Sequence, residues 1–476
     1  MIALKTNKAL FENDIRALVM AFFPGEKIVL GQIITFDYHI DCLIDEHKFS
    51  IAIDDGHKKT KKLTLETKAG EVISRNQVKR TTYDLLSEYT GKCLPWGTLT
   101  GIRPTKIAMA LLDKGYEEER IYNYFKSEYY ISDAKYNLCM QVAGAERKIL
   151  EPFDLNNSYS LYIGIPFCPT ICDYCSFSSY PLDVWKGKVE DYLAALFKEI
   201  DYTSKQMAGK KLLTVYMGGG TPTSLTAEQM LRLLEKLGQS FPMDSAFEVT
   251  VEAGRPDSIT RDKLEVIREY GIKRISINPQ TMNLKTLDLI GRKHTALQTV
   301  NAFKLAREVG FTNINMDIIV GLPSETAEDV RYTLAEIKKL DPESMTVHSL
   351  ALKRAAVLNR PETKYKDSNE DVNAMIELTC EAAGAMQMKP YYLYRQKNIA
   401  GNLENIGYAK EGHEGIYNIL IMEEKQTIIA IGAGATTKIV APEKNGIKRI
   451  ENVKSVKDYI ERIDEMIMRK AELDID

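Results

Sequence analysis

The segment from Ser160 to Leu350 alternates short apolar runs with amphipathic stretches, and this rhythm constrains the fold more than any other feature. Strand–helix alternation of this kind predicts a parallel sheet covered by helices. Right-handed crossovers would curl the strands into a barrel. The barrel is expected to be open or partial, because a closed barrel needs eight repeats and this segment has only six. The six predicted strands, read as near-continuous apolar runs, are Ser160–Phe167, Leu212–Met217, Phe247–Val251, Lys273–Asn278, Asn313–Val320 and Met345–Leu350.

The flanking regions predict an additional α+β domain on either side of this α/β barrel. We divide the chain into an N-terminal α+β domain (1–150), a partial (βα)6 barrel (151–360) and a C-terminal α+β elaboration (361–476). The charged run His57–Lys62 indicates a hairpin turn. In the C-terminal part, strands are expected at Pro390–Tyr394 and Thr427–Gly432 around a long polar stretch, and one amphipathic helix at Val453–Leu473.

Composition excludes several classes of function. The formal net charge is −3, which leaves no basic excess for binding nucleic acid. The longest apolar run near the start, Ala17–Phe23, is far shorter than the roughly 20 residues that span a membrane, and no signal peptide is evident. Seven cysteines, an odd number in a long chain, argue against a disulfide framework. These features predict a cytoplasmic protein without a membrane span.

Three of the seven cysteines, Cys168, Cys172 and Cys175, lie within eight residues at the end of the first barrel strand. Ligand sites in parallel α/β folds form at this end of the strands. Three thiolates on one loop suit a soft metal centre. A structural zinc would need a fourth ligand, and a [4Fe–4S] cluster held by three cysteines would leave one iron with open positions. Inert buried cysteines are the remaining alternative.

Polar or glycine-rich residues follow the later strands. The second strand ends in Gly218-Gly219-Gly220-Thr221, where backbone without side chains lets a ligand approach closely. The third ends at Glu252, and the fifth carries Asp317 within an apolar run, which is costly unless the carboxylate is paired or functional.

The CxxxCxxC spacing, with an aromatic residue before the last cysteine, resembles that of radical S-adenosylmethionine (SAM) enzymes. The resemblance implies that the three cysteines hold a [4Fe–4S] cluster and that the amino and carboxylate groups of SAM chelate the fourth iron. It further implies that one electron cleaves SAM to methionine and a 5′-deoxyadenosyl radical, which abstracts a substrate hydrogen. The cofactors would supply the hard chemistry and the protein would position and shield them.

Within that superfamily, residues from about 160 to 440 are similar to the oxygen-independent coproporphyrinogen III oxidases (coproporphyrinogen dehydrogenases), and the segment Tyr391–Asn398 resembles their HemZ-type branch. Carried over residue by residue, the resemblance implies that one or two SAM molecules contact Tyr162, Tyr174, Gly219, Gly220, Thr221, Glu252, Gln280, Arg292, Asp317 and Ala351. The oxidase branch has a fourth cysteine two residues after the third, whereas this chain has Phe177 at that position. The haem-chaperone branch of the same family also lacks the fourth cysteine.

The implied reaction oxidatively decarboxylates two propionates of coproporphyrinogen III to vinyl groups, giving protoporphyrinogen IX, and requires an electron donor and an acceptor. A flat polyanionic tetrapyrrole suits aromatic faces and cationic partners, which Tyr391, Tyr394, Arg395 and Lys397 offer. His348 and His413 are expected to be structural. The alternatives are a haem chaperone of the same family, radical SAM chemistry on another tetrapyrrole such as anaerobic haem degradation, and a structural zinc protein.

Overall fold

The computed structural model describes residues 1–31, 36–56, 60–68, 70–100, 103–351, 372–396, 403–441 and 446–471. It divides into two compact units, one formed by Met1–Gly144 with Leu393–Asn405 and the other by Ala145–Tyr392 with Ile406–Asp476. Among the described residues, no helix has both the length and the apolar content needed to cross a bilayer. The division into three domains remains a prediction.

The first unit contains a five-stranded sheet with order β2-β1-β3-β4-β5, and α1 and α2 pack their apolar residues against it. Of the hairpin turn expected at 57–62, residues 57–59 lie outside the described residues. The rest of the prediction is wrong, because Thr60–Lys62 belong to β5, an edge strand whose alternate residues are exposed. Lysines on an exposed edge discourage pairing with another chain. The elements are β1 (Ile2–Thr6), α1 (Ala9–Phe22), β2 (Ile28–Leu30), β3 (Tyr38–Ile44), β4 (Lys48–Asp54), β5 (Thr60–Glu66), α2 (Arg75–Thr90), α3 (Pro104–Asp113), α4 (Glu118–Tyr129) and α5 (Asp133–Leu150), whose last residues belong to the second unit.

The barrel lies in the second unit, and all six predicted strands are present. Neighbouring strands β6, β9, β10, β11, β12 and β13 pair in parallel, in that order. The elements are β6 (Ser158–Ile165), β7 (Phe167–Cys168), β8 (Tyr180–Pro181), α6 (Leu182–Trp185), α7 (Val189–Gln206), β9 (Lys211–Gly219), α8 (Ala227–Ser240), β10 (Glu248–Glu252), α9 (Arg261–Glu269), β11 (Arg274–Ser276), α10 (Leu284–Leu289), α11 (Ala296–Val309), β12 (Asn313–Val320), α12 (Ala327–Leu340) and β13 (Ser344–Ser349).

The C-terminal residues extend the same sheet at both edges. β16 pairs in parallel with β6, so a seventh parallel strand precedes the first barrel strand, and β15 pairs antiparallel with β13. The expected long polar stretch is wrong, because β15 and α14 lie within it, and the single helix expected at Val453–Leu473 is broken at Arg462. The elements are α13 (Val372–Ala385), β14 (Lys389–Tyr394), β15 (Asn405–Ala409), α14 (Ile416–Glu423), β16 (Thr427–Ile431), β17 (Thr436–Ala441), β18 (Gly446–Glu451), α15 (Val456–Glu461) and α16 (Ile463–Lys470).

The expectation of near-continuous apolar strands holds for only one face of the sheet. Successive strand residues point to opposite faces, and the alternate residues of the other face are polar and hydrogen-bond to one another. Asn315 Nδ2 donates to Asp317 Oδ1 (2.6 Å), and Thr346 Oγ1 donates to Asn315 Oδ1 (3.2 Å). Thr214 Oγ1 donates to Ser160 Oγ (2.8 Å). The helices therefore cover the apolar face, and the opposite face is a polar surface suited to a ligand.

A buried carboxylate on α7 ties the C-terminal helices to the barrel. Glu199 is fully buried and accepts hydrogen bonds from Lys470 Nζ, from Asn452 Nδ2 (2.7 Å) and from the backbone N–H of Gly432 (2.9 Å). The Tyr459 hydroxyl donates to the same carboxylate. The break at Arg462 lets both Tyr459 and Lys470 reach Glu199.

Replacing Glu199 by alanine should lower the free energy of unfolding by about 3–5 kcal/mol, because Lys470 would be left as an unpaired buried charge. Urea denaturation followed by circular dichroism measures this change. Asp191→Ala, which removes half of the exposed ion pair with Lys188, is the matched control and should cost less than about 1 kcal/mol. Equal small losses in both variants would show that the buried pair does not stabilise the fold.

Candidate functional site

The cysteine loop starts where the first barrel strand ends. Cys168 lies on β7, directly after β6, and the backbone N–H of Cys175 donates to Cys172 O (3.0 Å), which folds the loop into a turn. The sulfur of Cys168 lies 3.6 Å from Thr221 Oγ1, at the end of the second strand. All seven cysteines lie in the described residues and are free.

The glycine-rich turn after β9 packs directly against this loop. The N–H of Gly220 donates to Ile165 O (2.8 Å), and that of Thr221 donates to Phe167 O (2.7 Å). A Cβ on Gly220 would lie only 2.6 Å from Phe167 O, and Gly219 adopts φ +111° beside the Tyr162 hydroxyl. The turn therefore needs glycine for close approach and for backbone conformation.

The donor set of the loop fits an iron–sulfur cluster. Cys168, Cys172 and Cys175 offer only soft sulfur ligands, as such clusters require. In the part of the chain that the structure describes, no three Cys, His, Asp or Glu side chains already converge as a metal-binding group. Burial raises the pKa of Cys168 to about 11 and also raises that of Cys175, which favours the neutral thiol until a metal centre is bound.

Two arginines approach the middle cysteine. Arg255 Nη1 donates to Cys172 Sγ (3.4 Å). Burial alone would lower the pKa of the Arg292 guanidinium, but Arg292 lies near enough to Tyr174 and Cys172 for both groups to raise it. Arg292 Nη1 further donates to Asn278 O (2.5 Å). Sequence reasoning missed Arg255, although its place three residues after Glu252 at a strand end was an available signal. Both cations would offset the negative charge of a thiolate-bound cluster.

Tyr174 and its neighbours attach the loop to the far side of the barrel. The N–H of Asp173 donates to Ile290 O (3.0 Å), and the ring of Tyr174 packs against a small apolar cluster. That cluster consists of Ile290, Ile319, Leu322 and Leu350. The predicted residues Tyr174 and Arg292 are therefore brought together beside the cysteines.

Glu252 lies at the end of the third strand and receives the Tyr216 hydroxyl as a hydrogen-bond donor. Burial raises the pKa of Glu252 to about 7, although the Tyr216 and Gly219 donors favour the carboxylate. Tyr216 stacks on Tyr417 with ring centroids 4.5 Å apart, and Tyr162 lies parallel to both at 6.3 Å. The carboxylate therefore has a rigid aromatic support and a titration near neutral pH.

The fourth and fifth strand ends place two further polar groups together. Gln280 has φ +66°, its N–H donates to Asp317 O (3.0 Å), and its side-chain oxygen has no hydrogen-bond partner among the described residues. His348 Nε2 lies 3.7 Å from Asp317 Oδ2. Burial alone would raise the pKa of Asp317, but the nearby His348 and the amide donor Asn315 bring it below its ordinary value. Gln280 thus carries a buried acceptor that is free for a ligand.

The structure does not place the remaining predicted site residues beside the cysteine loop: some are buried with partners in the protein, and others belong to the first unit or lie outside the described residues. Ala351 comes two residues after the end of β13, and residues 352–371 lie outside the described residues. Tyr391 is 1% exposed, and its hydroxyl accepts from Asn418 Nδ2 (3.4 Å). Tyr394 and Arg395 belong to the first unit, where Arg395 is buried and donates to Leu99 O (2.5 Å). Lys397 lies outside the described residues. The burial of Tyr391 and Arg395 weighs against contact with a substrate. The predicted substrate role of these residues remains a prediction.

A buried glutamate beside the site predicts a measurable pH dependence of stability. Glu325 is 1% exposed and accepts from Thr281 Oγ1 (2.5 Å), and burial raises its pKa from 4.5 to about 7. The folded state therefore holds the proton more tightly than the unfolded state, and stability falls as pH rises from 4.5 to 7. At 1.36 kcal/mol per pKa unit the loss is about 3 kcal/mol.

Glu325→Gln should therefore stabilise the chain by about 2–3 kcal/mol at pH 8 and by little at pH 4.5. Urea denaturation at the two pH values measures the difference. Glu328→Gln, at an exposed position of α12, is the control and should show no such pH dependence. A Glu325→Gln protein no more stable than wild type at pH 8 would refute the prediction.

Comparison with known proteins agrees with this geometry. The model of the radical SAM superfamily matches residues 162–337. The chain is 44% identical over 395 residues to the oxygen-independent coproporphyrinogen-III oxidase-like protein HemZ of Bacillus subtilis, covering 82% of this chain and 79% of that protein. It is 33% identical to the haem chaperone HemW of the same organism, over 64% of this chain and 76% of HemW. The structure of coproporphyrinogen III oxidase (HemN) from Escherichia coli superposes with a TM-score of 0.55 at 23% identity, covering 68% of this chain and 73% of HemN, and shares the fold.

The strand-end cysteine loop on an α/β barrel therefore defines a radical SAM protein, whose superfamily binds a [4Fe–4S] cluster and SAM. Within that superfamily, the chain belongs to the HemZ-type coproporphyrinogen oxidase-like family.

Proposed function

We propose that this protein is an oxygen-independent coproporphyrinogen III dehydrogenase. One observation carries the proposal: Thr221, Arg255 and Arg292, which follow three neighbouring barrel strands, lie beside the cysteine loop at the edge of a polar sheet face. The 44% identity to HemZ over most of the chain supports it. We also propose a cytoplasmic location, because seven free cysteines suit a reducing compartment.

The residues of the chain have distinct roles in this proposal. Cys168, Cys172 and Cys175 would hold the cluster. When bound, the cluster and SAM supply a 5′-deoxyadenosyl radical, which abstracts a hydrogen atom. Glu252 would accept hydrogen bonds from the amino or ribose hydroxyl groups of SAM, and the free amide oxygen of Gln280 would accept another. The glycine turn lets the backbone approach the ligand.

The reaction balances for each propionate separately. The propionate loses one hydrogen atom from its β-carbon to the radical, which becomes 5′-deoxyadenosine. The C–C bond to the carboxylate then breaks, and CO₂ and one electron leave as the vinyl group forms. Each vinyl group therefore needs one SAM, one electron from a donor and one acceptor for the released electron.

A haem chaperone is the second candidate function. Phe177, 70% exposed, occupies the position at which the oxidase branch has a fourth cysteine, and HemW is 33% identical to this chain. Loss of that cysteine leaves the three cluster cysteines in place. The two candidates therefore differ in the substrate step and share the cofactors.

The dehydrogenase and the haem chaperone can be distinguished by anaerobic incubation of the reconstituted protein with SAM, dithionite, coproporphyrinogen III and an artificial electron acceptor. The dehydrogenase should release protoporphyrinogen IX with CO₂, methionine and 5′-deoxyadenosine, two of each per product. Cys172→Ala protein serves as the control for uncatalysed oxidation. Stable binding of haem without any protoporphyrinogen formation would overturn the proposal in favour of the chaperone.

A further inference from the structure

Arg255 forms a buried fork with a carboxylate two residues away. Its side chain is 3% exposed, and it follows the third barrel strand. Arg255 Nε donates to Asp257 Oδ1 (2.8 Å), and Nη2 donates to Asp257 Oδ2 (2.7 Å). Two parallel hydrogen bonds of this kind fix both the position and the plane of a guanidinium group.

The opposite edge of the same guanidinium faces the cysteine loop. Nη1 donates to Cys172 Sγ (3.4 Å) and to Thr170 O (3.3 Å), and Nη2 donates to Thr170 Oγ1 (3.1 Å). Arg255 therefore connects a rigid strand end to the middle of the cysteine loop. Its charge and one N–H donor lie at a sulfur that would bind iron.

Hydrogen bonds to ligand sulfur and nearby charge are two of the means by which proteins set the reduction potential of a cluster. Reduction of a [4Fe–4S]²⁺ cluster adds one electron, and so one negative charge, to the iron and its thiolates. A buried cation at Cys172 stabilises the reduced form more than the oxidised form. The carboxylate of Asp257 offsets part of that effect.

We propose that Arg255 is a positioning residue that raises the reduction potential of the cluster through Cys172, and that Asp257 moderates this effect. This inference goes beyond the proposed function, because it concerns electron uptake by the cluster and applies equally to a dehydrogenase and a chaperone. It is separate from Arg292, which the family resemblance assigns to SAM.

The test is the midpoint potential of the reconstituted cluster, measured without SAM by a redox titration followed by electron paramagnetic resonance. In Arg255→Gln protein we expect the equilibrium constant for reduction to fall at least tenfold, a shift of about −59 mV for a one-electron couple. In Asp257→Asn protein, which leaves the arginine uncompensated, the potential should move upward. Arg255→Lys, which keeps the charge but loses the fork, should lie between Arg255→Gln and wild type.

Midpoint potentials that shift in opposite directions in Arg255→Gln and Asp257→Asn indicate an electrostatic role of Arg255. If the two residues only supported the loop, both substitutions would shift the potential in the same direction. Arg261→Gln removes an exposed arginine on the helix that follows and should leave the potential unchanged. If Arg255→Gln protein takes up no iron, the proposal is tested by Asp257→Asn alone. An Asp257→Asn protein whose midpoint potential is not higher than that of wild type would overturn the proposal. Potentials equal to wild type in variants that retain four irons would overturn it as well.

Discussion

Cys172→Ala protein should neither retain a [4Fe–4S] cluster nor release 5′-deoxyadenosine. Cys172 is 8% exposed and central to the loop, and Arg255 donates a hydrogen bond to its sulfur. Without its thiolate, only Cys168 and Cys175 would remain to hold four irons. Iron and sulfide analysis after anaerobic reconstitution, together with chromatography of the products formed with SAM and dithionite, measures both losses.

Cys380→Ala is the matched control, since Cys380 is exposed and distant in sequence from the loop. It should keep four irons per chain and the wild-type rate of SAM cleavage. A Cys172→Ala protein that holds a complete cluster and still cleaves SAM would show that the ligand set is wrong.

Glu252→Gln should weaken SAM binding by about 10- to 100-fold while the cluster is retained. The carboxylate accepts a hydrogen bond from the Tyr216 hydroxyl and lies beside the glycine turn, so we expect its remaining acceptor sites to bind SAM. Hydrogen bonds to a charged group contribute about 1.5–3 kcal/mol, and the neutral amide loses most of that. Equilibrium dialysis of SAM with the reconstituted protein gives the dissociation constants.

The pH dependence of SAM binding provides an independent check on Glu252. With a pKa of about 7, the carboxylate is mostly protonated at pH 6 and mostly ionised at pH 8. Its other ionisable neighbours are Tyr216, Asp317 and His348. Wild-type affinity should rise about tenfold between these pH values, and this rise should be absent in Glu252→Gln. Glu265→Gln, an exposed carboxylate on α9, should behave as wild type. An unchanged affinity in Glu252→Gln would exclude contact with SAM.

The sequence predicted the barrel and the placement of the cysteine loop beside the glycine turn, because both depend on local patterns. The bounds of α11 and α12 agree with the apolar periodicity, and each begins after a threonine that caps it, Thr295 or Thr326. The cysteine loop and the glycine turn could be placed together because parallel strands end at the same edge of a sheet.

What the sequence did not predict depends on contacts between distant segments. The pairing of β16 with β6 joins residues from opposite ends of the second unit, and no local pattern specifies it. The same holds for the stack of Tyr417 on Tyr216 and for the contact of Arg255 with Cys172. The contact of Arg395, a predicted substrate-binding residue, with the carbonyl of Leu99 likewise becomes visible only in the folded first unit.

The central claim is that one iron of the cluster has no protein thiolate and can bind SAM. The most direct test is electron paramagnetic resonance of the reduced wild-type cluster, recorded before and after addition of SAM labelled with ¹⁵N in its amino group and ¹⁷O in its carboxylate. A cluster iron without a protein thiolate should bind these groups, so we expect the signal to change and to show hyperfine coupling to both labels. A reduced cluster whose spectrum is unaffected by saturating SAM would mean that no iron is open to it.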